Sequence, residues 1–422
     1  MTGTPGATPV RSERQEAGLP GSWQVVLVIT VSALGYFVDI YDLILFSIVR
    51  VASLRALGVP ENEVLSTGVF LLNMQMAGML IGGLLWGILG DKRGRLSVLF
   101  GSIIMYSLAN ILNGMVTSVD AYAALRLLAG IGLAGELGAG ITLVSESMSK
   151  ENRGYGTMIV AAFGILGAIA AGFVGDLFGW RNAYYVGGSM GLALLVMRVG
   201  VYESGAFLKV AQTSVQRGNF FTLFSTPAKA WKYLCLILIA LPTWFVTAIL
   251  VTFSPEFGTS MGMDPIPSAG TAVMWLYFGT SIGGFLSGML SQIFQTRKKV
   301  VQWSIVATGI LIGVHFWIAA VSLTVFYSMC LLLGLAIGYW AIFLTIAAEH
   351  VGTNIRATVA TTVPNFVRGA VVPMTLAFEF GRQHWGVVAS GLTVGLITVI
   401  IALIALRSLD ETYGKDLDYI EP

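Results

Sequence analysis

Gly87-Ile88-Leu89-Gly90-Asp91-Lys92-Arg93-Gly94-Arg95 is the stretch on which the fold turns. An apolar run ends here in a knot of charge. Residues 64–90 before it carry no charged side chain, and the chain turns apolar again over 95–117. Crossing a hydrocarbon layer ~30 Å thick takes roughly 20 helical residues, so each flank is long enough to span a bilayer. The charged stretch therefore reads as a short polar turn between two membrane helices. Gly87 and Gly90 allow close helix contact, and Gly94 permits a tight turn. Asp91 can pair with Arg95 or with a neighbouring helix terminus, which makes a latch on that face.

Scanning outward gives twelve such runs, at 23–48, 64–90, 95–117, 119–146, 155–178 and 182–203, then 231–256, 267–293, 299–320, 322–347, 358–380 and 385–407. Composition agrees: 56% of residues are apolar, 11% are charged, and mean hydropathy is +0.80. A soluble domain is nearer one quarter charged, because its surface must be solvated. A net charge of +2 suggests no nucleic-acid partner. Cys235 and Cys330 lie in apolar runs and read as packing residues, with neither disulfide nor metal spacing. Residues 1–22 form a polar tail without the apolar core of a signal peptide, so the first span is expected to direct insertion.

Lys and Arg then fix the expected orientation. With the N-terminus inside, eighteen of them, Arg198 among them, fall on the face of the termini. Only Arg50, Arg55, Arg181 and Arg382 fall on the other, while Arg126 and Arg368 lie within spans. Both termini are expected in the cytoplasm, with the protein in the cell (inner) membrane. The longest polar stretch, 204–230, divides the chain into a bundle at 23–203 and another at 231–407, followed by a tail at 408–422. The halves echo each other: Gly82-Gly83-Leu84 recurs as Gly283-Gly284-Phe285, and Leu127-Leu128-Ala129-Gly130 as Leu331-Leu332-Leu333-Gly334. Offsets of 201 and 204 in register point to a parallel internal repeat.

The turn at 87–95 resembles the loop signature of the major facilitator superfamily, G-x-x-x-D-[RK]-x-G-R. The equivalent loop at 288–299 keeps the charges but has Gln292 where Asp91 stands, so its latch should be weaker. Further segments are similar to the sugar porters and the metabolite:proton symporters. They include Arg126-x-x-x-Gly130-x-Gly132-x-x-Gly135-Glu136, Glu146 followed by Arg153-Gly154, Glu203-Ser204-Gly205-Ala206-Phe207, and Glu411-Thr412-Tyr413-Gly414. Gly205 and Asp410 stand where those families carry proline. The resemblance implies an all-α membrane protein, with twelve transmembrane helices in two six-helix bundles that alternate access to a central site. It also implies a cytoplasmic gate at Gly87, Asp91, Arg95, Glu146 and Arg153.

Ionisable residues inside spans are costly and mark function. Asp39 and Asp42 share one face of span 1 at i and i+3. Neighbouring buried carboxylates can hold a proton near neutral pH, and the D-x-x-D arrangement is similar to that of aromatic-acid and other metabolite:proton symporters. Glu136 in span 4 is either a further proton site or a hydrogen-bonded structural acid. Arg126 lies at a depth where it can pair with these acids, for coupling or for structure. Arg368 stands near the middle of span 11, where the second half offers no acid. A guanidinium cannot discard its charge and presents a fork that matches a carboxylate. Arg368 thus points to an anionic substrate, or else to a pair across the bundle with Glu136 or Asp39. Asn365 lies one turn earlier. Candidate walls are Tyr36, Asn73, Gln75, Trp244, Tyr277, Tyr339 and Trp340. Pro242, Pro364 and Pro373 are candidate hinges.

These residues predict a proton-coupled symporter for a small organic anion, a carboxylate, with the lipid bilayer as its other partner. It would act as a monomer without metal or cofactor. No phosphate loop for ATP use is present, and no nucleophile or metal cluster of an enzyme. The sugar-porter echoes imply a rival, a proton-coupled sugar transporter. A third reading is an efflux carrier for a lipophilic or cationic compound.

Overall fold

A computed structural model describes residues 22–148, 153–198, 220–352 and 355–414, and every regular element among them is helical. Three unbroken helices open the chain: span 1 (Ser22–Ala56), span 2 (Val64–Arg93) and span 3 (Arg95–Asn113). Span 4 consists of two segments, Val119–Leu133 and Glu136–Ser147. Spans 5 and 6 share one helical run, Arg153–Met197, bent at Gly179, whose φ of 75° suits glycine alone.

Span 7 is the most interrupted element. It runs Pro227–Leu238, Leu241–Phe245, a π-helical turn at Val246–Val251, and Ser254–Ser260. Span 8 is Ala269–Ile293 and span 9 is Lys298–Ile318. Span 10 divides into Leu323–Ile337 and Trp340–Glu349, and span 11 into Arg356–Gly369 and Val371–Trp385. Span 12 is Val387–Arg407.

Among the described residues, ten helical stretches are long and apolar enough to cross a membrane. Two features account for the difference from twelve. Spans 5 and 6 merge through Gly179, and span 11 carries Thr361, Thr362, Asn365 and Arg368 in its first segment. The twelve-helix fold expected from the sequence is the one observed.

The internal repeat emerges as two matching helix crossings. Span 2 meets span 4 where a side chain at Gly78 or Gly82 would strike the Leu127 or Ile131 carbonyl. Span 8 meets span 10 in the same way, with Gly279 against the Leu331 carbonyl and Gly283 against that of Leu335. In a membrane, where apolar surface gains nothing by leaving lipid, such small-residue contacts drive helix packing. The repeat extends to the helix breaks, since Ala134 in span 4 and Gly338 in span 10 both cap the segment before an interruption. Span 2 packs on span 11, and span 5 on span 8, which joins the halves.

The expected hinges move slightly. Pro242 begins a segment, so the break falls before it at 239–240. Pro364 sits inside Arg356–Gly369 without ending it. Span 11 breaks at Ala370 instead, because Pro373 has no N–H to offer the Gly369 carbonyl. Span 7 begins at Pro227, within the stretch expected to be linker, and is capped by Thr226. Residues 199–219, most of that linker, lie outside the described residues, as do 1–21 and 415–422.

Candidate functional site

The breaks place charge. Arg368 occupies the last turn of Arg356–Gly369, where unsatisfied carbonyls make the helix end partially negative. Glu136 is the first residue of Glu136–Ser147, at a partially positive end. Each buried ion thus gains from a helix end that an unbroken span would not supply.

Arg368 is 1% exposed and bonds no acid among the described residues. Its Nη1 donates to Asn365 Oδ1 at 3.2 Å, its guanidinium lies 5.5 Å from the Trp244 ring centroid, and Nε has no partner. Trp244 packs edge-on against Trp340, with centroids 6.2 Å apart. Its indole N–H, also buried, has no partner among the described residues. Tyr36, Asp39 and Tyr277 all lie within electrostatic reach of Arg368, and Tyr36 faces Trp340. Seven of the residues singled out in the sequence therefore surround one point between the halves. Asn365 carries the polar link onward, donating to the Ala134 carbonyl at 2.9 Å across the interface.

A second cluster lies within the first half, farther from the termini along span 1. Asp42 faces Asn110 and packs against Gly187 of span 6. Both Asp39 and Asp42 are fully buried, and their carboxylate oxygens have no hydrogen-bond partner among the described residues. The ion pair considered for Arg126 is not formed. Its Nη2 donates to Gln75 Oε1, its Nη1 lies 3.5 Å from the Tyr184 hydroxyl, and the guanidinium sits 4.7 Å over Phe46. Tyr184 in turn shares a 2.6 Å hydrogen bond with Tyr122.

Glu136 has a partner that the charge count had placed on the face of the termini. Arg198 is 1% exposed, reaches into the bundle and pairs with Glu136, while its Nη1 also donates to the Leu99 carbonyl at 3.1 Å. The pair packs against Gly35 of span 1. Glu136 is thereby tied to spans 3 and 6, which favours the structural alternative left open for it.

Arg50, expected on the opposite face just past span 1, is fully buried and pairs with Glu256 of span 7 at 2.6 Å, linking the two halves. Helix length explains the position of Arg50. Span 1 has 35 residues and at 1.5 Å per residue is about 50 Å long, well beyond the hydrocarbon thickness, so a residue near its apparent end can still be packed by neighbours.

Two candidate walls lie away from the centre. Asn73 accepts a 2.6 Å hydrogen bond from Thr375 at the contact of spans 2 and 11, and Gln75 belongs to the Arg126 cluster. Tyr339 donates to the Ile239 carbonyl at the first break in span 7, so its hydroxyl is committed there. Of the expected gate, Gly87 faces Thr362 of span 11. The side chains of Asp91, Arg95, Glu146 and Arg153 are outside those described. In the second-half loop, Gln292 receives a 3.2 Å hydrogen bond from the Tyr413 hydroxyl, and Glu411 supplies the carboxylate that Gln292 lacks.

Comparison with known proteins agrees with this architecture. The family model described as Major Facilitator Superfamily matches residues 32–371. The chain is 24% identical over 402 residues to the putative niacin/nicotinamide transporter NiaP of Bacillus subtilis (strain 168), covering 92% of this chain and 96% of that one. It is 27% identical over 345 residues to the 3-(3-hydroxy-phenyl)propionate transporter of Escherichia coli (strain K12), covering 78% and 82%. Among solved structures it superposes on a D-xylose-proton symporter with a TM-score of 0.72, at 16% identity, over 93% of this chain and 100% of the other.

Proposed function

The chain belongs to the major facilitator superfamily, a transporter rather than an enzyme, and from that premise we propose that it carries a small organic carboxylate together with a proton. The observation that supports this reading above the others is Arg368. It is buried between the halves, has among the described residues an unpartnered Nε and no acid bonded to it, and sits beside two tryptophans. An arginine in that setting gains most from a carboxylate ligand, which answers its fork with two oxygens. Trp244, Trp340, Tyr36 and Tyr277 favour a flat or aromatic body on that acid. Two relatives are named for niacin and for a phenylpropionate, both acids on a ring.

Asp39 is our proton carrier, because it shares the field of Arg368 and no hydrogen bond from the described residues holds it ionised. Asp42 extends the acidic face toward the opposite side of the membrane. A protonated Asp39 leaves Arg368 free for the anionic substrate, and an ionised Asp39 competes with it. That competition couples the two fluxes. We orient both termini toward the cytoplasm, in the inner membrane, and take 23–203 and 231–407 as bodies that rock about the site. The turn at 87–95, with Glu146 and Arg153, then guards the inner side, and a single chain suffices.

The test uses purified protein in liposomes that hold a pH-sensitive dye. Adding benzoate, nicotinate or 3-phenylpropionate outside should acidify the lumen for wild type and not for Arg368→Ala. Acidification by xylose that survives in Arg368→Ala would overturn the carboxylate reading.

A further inference from the structure

Arg50 and Glu256 have no part in the mechanism above, yet they form an ion pair between the two halves on the face opposite the termini. Arg50 is fully buried, packs against Gly68 of span 2, and lies 4.8 Å over the Phe253 ring. Its pairing is lopsided. Glu256 Oε1 and Oε2 approach the same nitrogen, Nη2, at 2.6 and 2.7 Å, and the Thr252 carbonyl lies 3.4 Å from it. Nε and Nη1 are buried donors without partners among the described residues. In a forked pair a carboxylate engages two nitrogens at once, so two of the three nitrogens of this guanidinium remain available to a second carboxylate.

The partners differ in how readily they can let go. Arg50 cannot lose its charge and is sealed in the protein, so it requires an anion at all times. The Glu256 side chain is 18% exposed and can return its charge to water. Glu256 also sits on a short segment, Ser254–Ser260, separated from the Trp244 segment by the π-helical turn Val246–Val251. Such wide turns mark sites of local rearrangement, so this segment can swing while Trp244 keeps its place. One turn inward, a 2.8 Å hydrogen bond between Thr252 and Ser47 ties the same two helices.

We propose that Arg50 is an entry site for the substrate carboxylate, and that Glu256 is the internal carboxylate it displaces to open the outer side. This assignment rests on the carboxylate reading of Arg368. It gives the carrier two arginines in series, one that admits the anion and one that holds it. Displacement also explains how the outer side opens to an acid: the incoming carboxylate keeps Arg50 satisfied while the tie between the halves is released.

The experiment places a single reporter, Ser47→Cys, beneath the ion pair in a chain with Cys235 and Cys330 changed to alanine. Labelling by an impermeant maleimide added outside reports opening and needs no substrate. Adding Glu256→Gln or Arg50→Gln should raise the labelling rate several-fold each. Uptake of benzoate, nicotinate and 3-phenylpropionate is then measured in liposomes, without the reporter. Glu256→Gln, which removes the competitor, should lower KM. Arg50→Gln should raise it on the order of tenfold, the equivalent of one charge-assisted hydrogen bond. Quenching of tryptophan fluorescence by the same acid in detergent should stay unchanged, because the central site is intact. Unchanged labelling in both variants would overturn the tie between the halves. Raised labelling with no opposed movement of KM would overturn the entry site. If wild type takes up none of the three acids, the carboxylate reading falls and the entry site with it, while labelling still judges the tie.

Discussion

Asn365 of span 11 donates its amide to the Ala134 carbonyl of span 4 at 2.9 Å. That carbonyl lies at the break in span 4, two residues before Glu136. The same side chain donates to the Thr361 carbonyl at 2.9 Å and accepts from Arg368 through its oxygen. One amide therefore joins Arg368 of the second half to the broken helix of the first. Asn365→Leu should leave a buried carbonyl and a guanidinium short of partners, at a cost of about 1–3 kcal/mol. We expect a lower unfolding temperature in detergent and uptake reduced roughly tenfold. Wild-type stability with wild-type uptake would show that the contact carries no weight.

Asp39 and Asp42 lie one turn apart, yet their surroundings differ. Asp39 senses Arg368 and Glu136, whereas Asp42 senses Asp39 first, then Arg126 and Asn110. Asp39→Asn should abolish accumulation driven by an inward proton gradient and preserve exchange of labelled for unlabelled acid, since the anion no longer has a competitor. Asp42→Asn should retain accumulation at a reduced rate. If Asp39→Asn still accumulates acid against its gradient, the proton rides elsewhere.

What could be read without coordinates follows physical lines. All twelve spans came from apolar length, because a bilayer leaves a long apolar helix few alternatives, and spans 1, 2, 3, 8, 9 and 12 are single unbroken helices. The glycines of the repeat were visible as spacing, and the structure shows why they are needed, as points where backbones touch. The breaks at Ala134 and Gly338 were hidden, since no proline marks them and hydropathy runs straight through. Arg198 and Arg50 were misplaced because counting charges assigns residues near span ends to a membrane face, whereas a long span 1 carries Arg50 inward and the Arg198 side chain reaches back to Glu136, partners that only tertiary packing fixes. An arginine in mid-span is conspicuous in sequence, and the aromatic residues of spans 1, 7, 8 and 10 could be named there as candidates, but that they converge on Arg368 is visible only in the fold.

The Glu136–Arg198 pair makes a stability prediction. Both side chains are 1% exposed, so removing one partner strands the other's charge. Such losses cost about 3–5 kcal/mol, whereas removing both can be close to neutral. Glu136→Gln and Arg198→Gln should each lower the unfolding temperature markedly, and the double variant should recover much of the loss. A double variant as unstable as the sum of the singles would mean the two do not act as a pair. Full destabilisation by Glu136→Gln with full rescue of proton-driven uptake in the double variant would place Glu136 outside the proton path.

Glu411 predicts a pH dependence on the face of the termini. Its carboxylate accepts from the Thr296 hydroxyl, from the backbone N–H groups of Arg297 and Lys298 at 2.9 and 3.2 Å, and from those of Thr412 and Tyr413. Partial burial alone would raise its pKa, but the Thr296 hydroxyl and the backbone donors of Arg297, Tyr413 and Lys298 outweigh it and hold it at about 2, against an ordinary 4.5. A depressed acid stabilises the docked tail fully above its ordinary pKa, and the stabilisation is lost as pH falls toward the depressed value. Lys298 adds a clasp from the other side, donating to the Arg407 and Leu409 carbonyls. Amide exchange over 409–413 should therefore stay slow from pH 7 to about 4.5, once corrected for the intrinsic rate, and quicken on approach to about 2. Glu411→Gln, which keeps the shape but turns acceptors into a mixed group, should show fast exchange across the whole range. Slow exchange in that variant would mean that the lysine clasp holds the tail without the carboxylate.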